Sequence, residues 1–421
     1  MLSGIYYFAL TIIKLLVILG IVTTIHEFGH FIFAKLFKIG VNEFSIGFGP
    51  KIFQKKVKET YYSIRCIPLG GFCAIEGEGG DSEREDSFTK KNIFQKVIVL
   101  VMGATFNAIL AIAIFLLVAF SSTTFNTKIT DFAGNSVLKQ AGLKEGDIVN
   151  SVDGEKTNLL AQIINYKAQE KKPVNIEYTR DGEKHSATVE DAIKDIGYIG
   201  ISFRISDDKT YGTNIVDMVA SGNSALKAGI KSGDKIVSIN NIPTETSGDI
   251  VEIVKQNPNK TLDFEIERNS EIIHKEVVPS SKLGFDLGIA NTEEVKTTLP
   301  LAISSSFESV KNIVGSYVDL FRGKVGVKDM SGIVGIGEVV SKTSGFLDFI
   351  NLLGIISLAI GAANLMPFPP LDGGKVVIVI GETITRKKLP IKAEAIISYI
   401  GFGALILLTL IVTYNDIMRI F

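Results

Sequence analysis

Two cysteines, four histidines and no surplus of either charge are all that 421 residues offer. Cys66 and Cys73 share one stretch with no second pair, so a disulfide framework and a four-cysteine zinc site are excluded by number. With 44 basic against 45 acidic residues and no concentrated basic arm, nucleic acid is not an expected partner. The apolar N-terminus has no small-residue cleavage site, so it reads as a retained membrane helix and not as a signal peptide.

Apolar surface is what the chain has in excess. The hydrophobic fraction is 46% and the mean hydropathy +0.30. The excess gathers in four segments, about 5–36, 92–120, 349–384 and 393–421, each long enough for a bilayer that takes about 20 apolar residues. An α-helical polytopic membrane protein is expected. In the first segment Lys14 and Lys35 flank the apolar run and are expected to snorkel outward. Pro367, Pro369, Pro370 and the pair Gly373 and Gly374 interrupt the third. Broken backbone at membrane depth is tolerated only inside protein or along a polar cavity, so the break marks a site.

Basic residues set the orientation. Lys35, Lys38, Lys51, Lys55, Lys56 and Lys58 follow the first segment, Lys90, Lys91 and Lys96 lead the second, and Arg386, Lys387 and Lys388 separate the last two. Those loops should be cytoplasmic, which puts both termini and the stretch from about 121 to 347 on the outer side.

That stretch contains a repeat. "AGLKEGDIVNSVDG" starts at Ala141 and "AGIKSGDKIVSINN" at Ala228, an offset of 228 − 141 = 87 residues. "GYIGISF" and "GFDLGIA" recur at the same offset. Each copy alternates short strands with one helical stretch, "TNLLAQIINYKAQ" in the first and "SGDIVEIVKQ" in the second. The pattern resembles a PDZ domain, which implies capture of extended peptide ends by strand addition; a spacer or size filter is the alternative.

The chemistry lies in "TTIHEFGHFIF", residues 23–33. Ionisable groups in an apolar segment are functional candidates by default. On a helix His26 and His30 share a face, with Glu27 one position round. In an H-E-x-x-H pattern the imidazoles hold zinc and the glutamate takes a proton from the attacking water. A catalytic zinc wants a third protein ligand. His185 and His274 lie in the outer repeats, so neither can serve. Asp372, at the break in "NLMPFPPLDGG", is the candidate carboxylate. A water-facing H-E-x-x-H site would need a further His or Glu on a cytoplasmic helix, and none has suitable spacing.

With "HEFGH" in the first segment, "NLMPFPPLDGG" in the third and two PDZ-like modules between, the chain resembles the site-2 protease family of intramembrane zinc metalloproteases, in its regulator of sigma-E protease branch with tandem PDZ domains. The resemblance implies Zn2+ on His26, His30 and Asp372, Glu27 as general base, and Asn364 holding substrate backbone. It implies single-span membrane protein substrates, such as an anti-sigma factor or a signal-peptide remnant, and a place in the bacterial cytoplasmic (inner) membrane. "EFSIGFGPKIF" and "IPLGGFCAIEGE" imply a β-rich re-entrant element that presents an edge to unwound substrate. "GATFN" keeps Gly103 and Asn107 but lacks the family's proline, and "SGIVGIGE" departs from its Gly-Pro-Ile-Gly pattern. The expected domains are a protease core at 1–121 and 348–421, PDZ-like modules at 122–210 and 211–297, and an amphipathic connector at 298–347. The alternative is a membrane-anchored PDZ scaffold or receptor with a vestigial metal site.

Overall fold

The computed structural model describes all residues except 1, 81, 135, 167–169, 207–211, 221, 324–329, 331, 344, 388 and 421. Helix α1 (Leu2–Leu36) is apolar around most of its circumference. Its Lys14 does not reach outward as expected: the ammonium donates to the Thr343 carbonyl at 2.8 Å and lies 3.2 Å from the Thr343 hydroxyl. Lys35 pairs with the exposed Glu59 at 3.2 Å.

Strands β1 (Val41–Val57) and β2 (Thr60–Ile75) follow. Each is folded on itself, β1 where Gly47 and Gly49 take positive φ and β2 before Gly71. Glycine carries that backbone without a Cβ clash. Residues 41–46 therefore pair on one side with 61–64 and on the other with 71–75, while 51–57 pair with 60–65. The run 71–75 is left as an edge. Asn92 then caps α2 (Ile93–Phe120) through a capping box with Gln95. The buried stripe Val99, Gly103, Asn107, Ala111, Ile114 and Phe115 follows the helical period.

Residues Thr123–Thr297 form a separate unit. Its elements are β3 (Thr123–Phe132), α3 (Val137–Gln140), β4 (Ile148–Val152), β5 (Glu155–Lys156), α4 (Leu160–Ile164), β6 (Val174–Arg180), β7 (Glu183–Val189), β8 (Ile193–Tyr198) and β9 (Ile201–Ile205), then β10 (Gly212–Val219), α5 (Ser224–Lys227), β11 (Lys235–Ile239), β12 (Ile242–Pro243), α6 (Ser247–Gln256), β13 (Leu262–Arg268), β14 (Glu271–Val277), β15 (Ser280–Phe285) and β16 (Ile289–Lys296). One sheet runs β16-β3-β4-β6-β7 and the other β14-β13-β11-β10-β9, with β8 on β15 as a ribbon. The division at 122–210 and 211–297 needs correction. Residues 201–205 edge the second sheet, and 289–296, which follow the whole second copy, edge the first. The boundary at 210 and 211 itself falls outside the described residues. The first helical stretch is also shorter than expected, since α4 ends at Ile164; residues 167–169 are not described.

The repeated "GD" has a structural cause in each copy. Asp147 is 1% exposed and held by Arg180 at 2.7 Å and the Lys144 amide at 2.7 Å. Asp234, also 1% exposed, is held by Arg268 at 2.7 Å and the Lys231 amide at 2.8 Å. A buried carboxylate is tolerable only with such partners.

The chain then returns to the first unit through α7 (Leu299–Phe321), α8 (Ile333–Lys342), α9 (Phe346–Asn364), α10 (Asp372–Thr385) and α11 (Ile391–Ile420). Among the described residues four helices are apolar and long enough to cross a membrane: Phe8–Leu36, Ile93–Phe120, Phe346–Asn364 and Ile391–Met418. The third expected segment is thus two helices, separated by the proline-bearing residues 365–371, where missing N–H groups and ring clashes prevent a continuous ladder. Ile18, Val22, Ala111, Phe115, Leu352 and Leu358 pack α1, α2 and α9 together.

Candidate metal centre

Helix geometry stacks His26 and His30 on one face of α1, with ring centroids 4.8 Å apart. The break before α10 allows Asp372 to open that helix and turn its carboxylate towards them. Asp372 Oδ2 lies 2.9 Å from His26 Nε2 and 3.3 Å from His30 Nε2, and the two Nε2 atoms are 3.2 Å apart. The histidines are 6% and 7% exposed.

These residues fit zinc by chemistry and by spacing. Two imidazole nitrogens and one carboxylate oxygen are a catalytic donor set, and donor atoms around a tetrahedral zinc stand roughly 3.3 Å apart. His30 Nδ1 lies 2.7 Å from the Val99 carbonyl oxygen. An N–H at Nδ1 fixes the tautomer and turns the Nε2 lone pair to the trio. Space is provided by Gly103 on α2: a Cβ there would overlap His30 Nε2 and stand 2.8 Å from His26 Nε2.

Glu27 lies outside the trio, half-buried beside it. Its Oε2 accepts the Cys73 backbone N–H at 2.9 Å, which ties it to the edge run 71–75. Asn364 is the last residue of α9 and is half-buried; among the described residues its side chain makes no hydrogen bond. His185 and His274 lie on β7 and β14 in the other unit, and His274 faces Asp263 at 3.0 Å.

Other contributors give no side-chain signal in the sequence. The Val99 carbonyl and the Cys73 amide are backbone groups. Lys375 could have been noticed, being one turn beyond Asp372 on α10, and it pairs with Glu78 at 2.7 Å. That pair ties α10 to the loop after β2.

The sequence profile of peptidase family M50 matches residues 14–408. The regulator of sigma-W protease RasP of Bacillus subtilis strain 168 is 30% identical, over 98% of this chain and 100% of that protein. The zinc metalloprotease RasP of Bacillus licheniformis is 28% identical, over 98% and 99% respectively. A crystal structure of the HtrA3 PDZ domain with a phage-derived ligand is 26% identical, covering 22% of this chain and 92% of that one, with a TM-score of 0.19.

Proposed function

Because the chain belongs to peptidase family M50 and is a zinc metalloprotease of the site-2 type, we propose that it cuts single-span membrane proteins within the bilayer. The observation that carries this reading is the convergence of His26, His30 and Asp372 from helices far apart in sequence, beside Glu27 and inside an apolar segment. The relative named a regulator of sigma-W protease favours an anti-sigma factor as substrate, with a signal-peptide remnant as the other member of the class.

Peptide hydrolysis at membrane depth must obtain water, open a helix whose amides are already bonded, and stabilise an oxyanion. His26, His30 and Asp372 would hold zinc, which when bound would supply Lewis-acid activation of water and of the scissile carbonyl. Glu27, whose Oε2 is held by the Cys73 amide, takes the proton from water and later returns it to the leaving amine. The run 71–75 is a sheet edge beside that carboxylate, where an unwound substrate strand gains backbone hydrogen bonds as its helical ones are lost. This is the role we assign to β1 and β2 as a re-entrant element. Asn364, the last residue of α9, completes the substrate-facing polar set. A helix-weak residue near the cleavage point is expected, because helical order must be lost there.

From the positions of the basic residues we infer that the loops after α1, before α2 and between α10 and α11 are cytoplasmic and that residues 122–297 lie outside the cytoplasmic membrane. In a chain with Cys66 and Cys73 replaced, Glu170→Cys is expected to react with an impermeant thiol reagent on intact cells. Lys387→Cys should react only after permeabilisation. The opposite pattern inverts the topology.

We also read the second PDZ-like module as a binder of peptide ends. A groove of about 200 Å³ lies between residues 196–201 and α6, walled by Phe203, Ile250, Val251 and Val254, with Lys255 and Lys282 at its side. The outer edge of β9 borders it. Lys282 sits 3.8 Å over the Tyr198 ring, and its pKa is lowered by burial and by Lys255, which suits a site that receives an anion. In the first module Tyr166 packs 4.5 Å from Phe285, the counterpart of Tyr198. A peptide ending in an apolar residue with a free carboxylate should bind the full chain about 10–100-fold more tightly than its C-terminal amide, the range of a charge-assisted hydrogen bond. Val251→Glu should abolish the difference. Equal binding of acid and amide would remove this role.

A further inference from the structure

One buried group near the trio has no part in the scheme so far. Asn107 lies one turn beyond Gly103 on α2 and is 0% exposed. Its main-chain carbonyl accepts the Ser357 hydroxyl at 2.9 Å, and a Cβ at Gly361 would stand only 3.1 Å from its Cβ, so α9 presses it into place. Its amide Nδ2 is 3.4 Å from His26 Nδ1, and its Oδ1 has no partner among the described residues. A fully buried amide aimed at a histidine, bonded only by a long contact and with its oxygen unused, calls for an explanation.

Resting on the zinc-site reading above, we propose that Asn107 is a positioning residue that sets the tautomer of His26. The two ends of a side-chain amide exchange by a half-turn about χ2 and are told apart only by their hydrogen bonds. With Nδ2 towards His26, Nδ1 must accept, so the ring proton sits on Nε2 and donates to Asp372 Oδ2 at 2.9 Å. That tautomer has no lone pair for a metal. With Oδ1 towards His26, Nδ1–H donates and the Nε2 lone pair is free. Zinc binding thus selects the second arrangement and converts the unused oxygen into an acceptor.

The same logic operates at the other imidazole, where the acceptor is the Val99 carbonyl. Val99, Gly103 and Asn107 recur every four residues and face α1 as one stripe, so a single face of α2 orients His30, makes room for both rings, and orients His26.

The test is a zinc titration of the full-length chain in detergent against a competing chelator, with thermal melting to confirm folding. Asn107→Leu keeps the volume and removes the acceptor; Asn107→Asp keeps the acceptor. Loss of a ligand's outer hydrogen-bond partner weakens metal binding by about 10–100-fold. Leu should show that loss, and Asp, which keeps the acceptor, should hold zinc more tightly than Leu. Wild-type affinity in the Leu variant overturns the proposal, and so does an equal loss in Leu and Asp, which would mean a packing role. If Leu does not fold, Asn107→Ala is read by the same criteria. A wild-type chain that holds no zinc overturns the site reading and this proposal with it, whereas a zinc-holding wild type with an unaffected Leu variant overturns this proposal alone.

Discussion

Glu27→Gln is expected to leave about one zinc per chain, as a single catalytic site requires, and to slow cleavage of a membrane substrate by about 10²–10⁴-fold, the usual contribution of a general base. Glutamine keeps the length of the side chain and an oxygen for the Cys73 amide, which Oε2 of the native carboxylate accepts at 2.9 Å. The loop, the edge run and the donor trio therefore stay where they are. What is lost is the second oxygen's basicity, because an amide does not take a proton from water at neutral pH. Metal content by elemental analysis and cleavage of a reconstituted substrate separate the two effects. Loss of zinc in this variant would make Glu27 part of the metal's own ligand set and would remove it as the base.

The donor trio was legible because its signals are short-range or rare. A spacing of four residues places His26 and His30 on one helical face whatever the fold, and a carboxylate beside prolines in an apolar segment has few structural reasons to exist. The break at residues 365–371 was legible for the same reason, since proline's effect on a helix is local. The partition of the outer unit was not. A period of 87 residues counts copies, but which sheet an edge strand joins is a long-range matter, and β9 and β16 each lie on the far side of the expected boundary. Lys14 was misread because the carbonyl that holds it belongs to Thr343, hundreds of residues away along the chain. The Val99 carbonyl and the Cys73 amide could not have been found at all, since every residue carries those groups and only the fold chooses which ones meet His30 and Glu27.

The reading as a PDZ scaffold with a vestigial site is set aside, because the chain is a zinc metalloprotease of family M50 and the H-E-x-x-H residues and Asp372 are all in place.

The central claim is that one zinc is held jointly by α1 and α10. Asp372 supplies the only carboxylate oxygen in the trio, within 4.8 Å of the imidazole nitrogens. Its removal leaves two neutral ligands for a dication in a low-dielectric site, and two imidazoles without the anion neither complete the coordination nor offset the charge. Metal analysis of purified Asp372→Ala, run beside wild type and Glu27→Gln, is the most direct test. The account predicts about one zinc in wild type and in Glu27→Gln and close to none in Asp372→Ala, because a metal site that loses one of its three protein ligands loses its affinity. Full zinc occupancy in folded Asp372→Ala would contradict it, and would take Asp372 out of the metal centre.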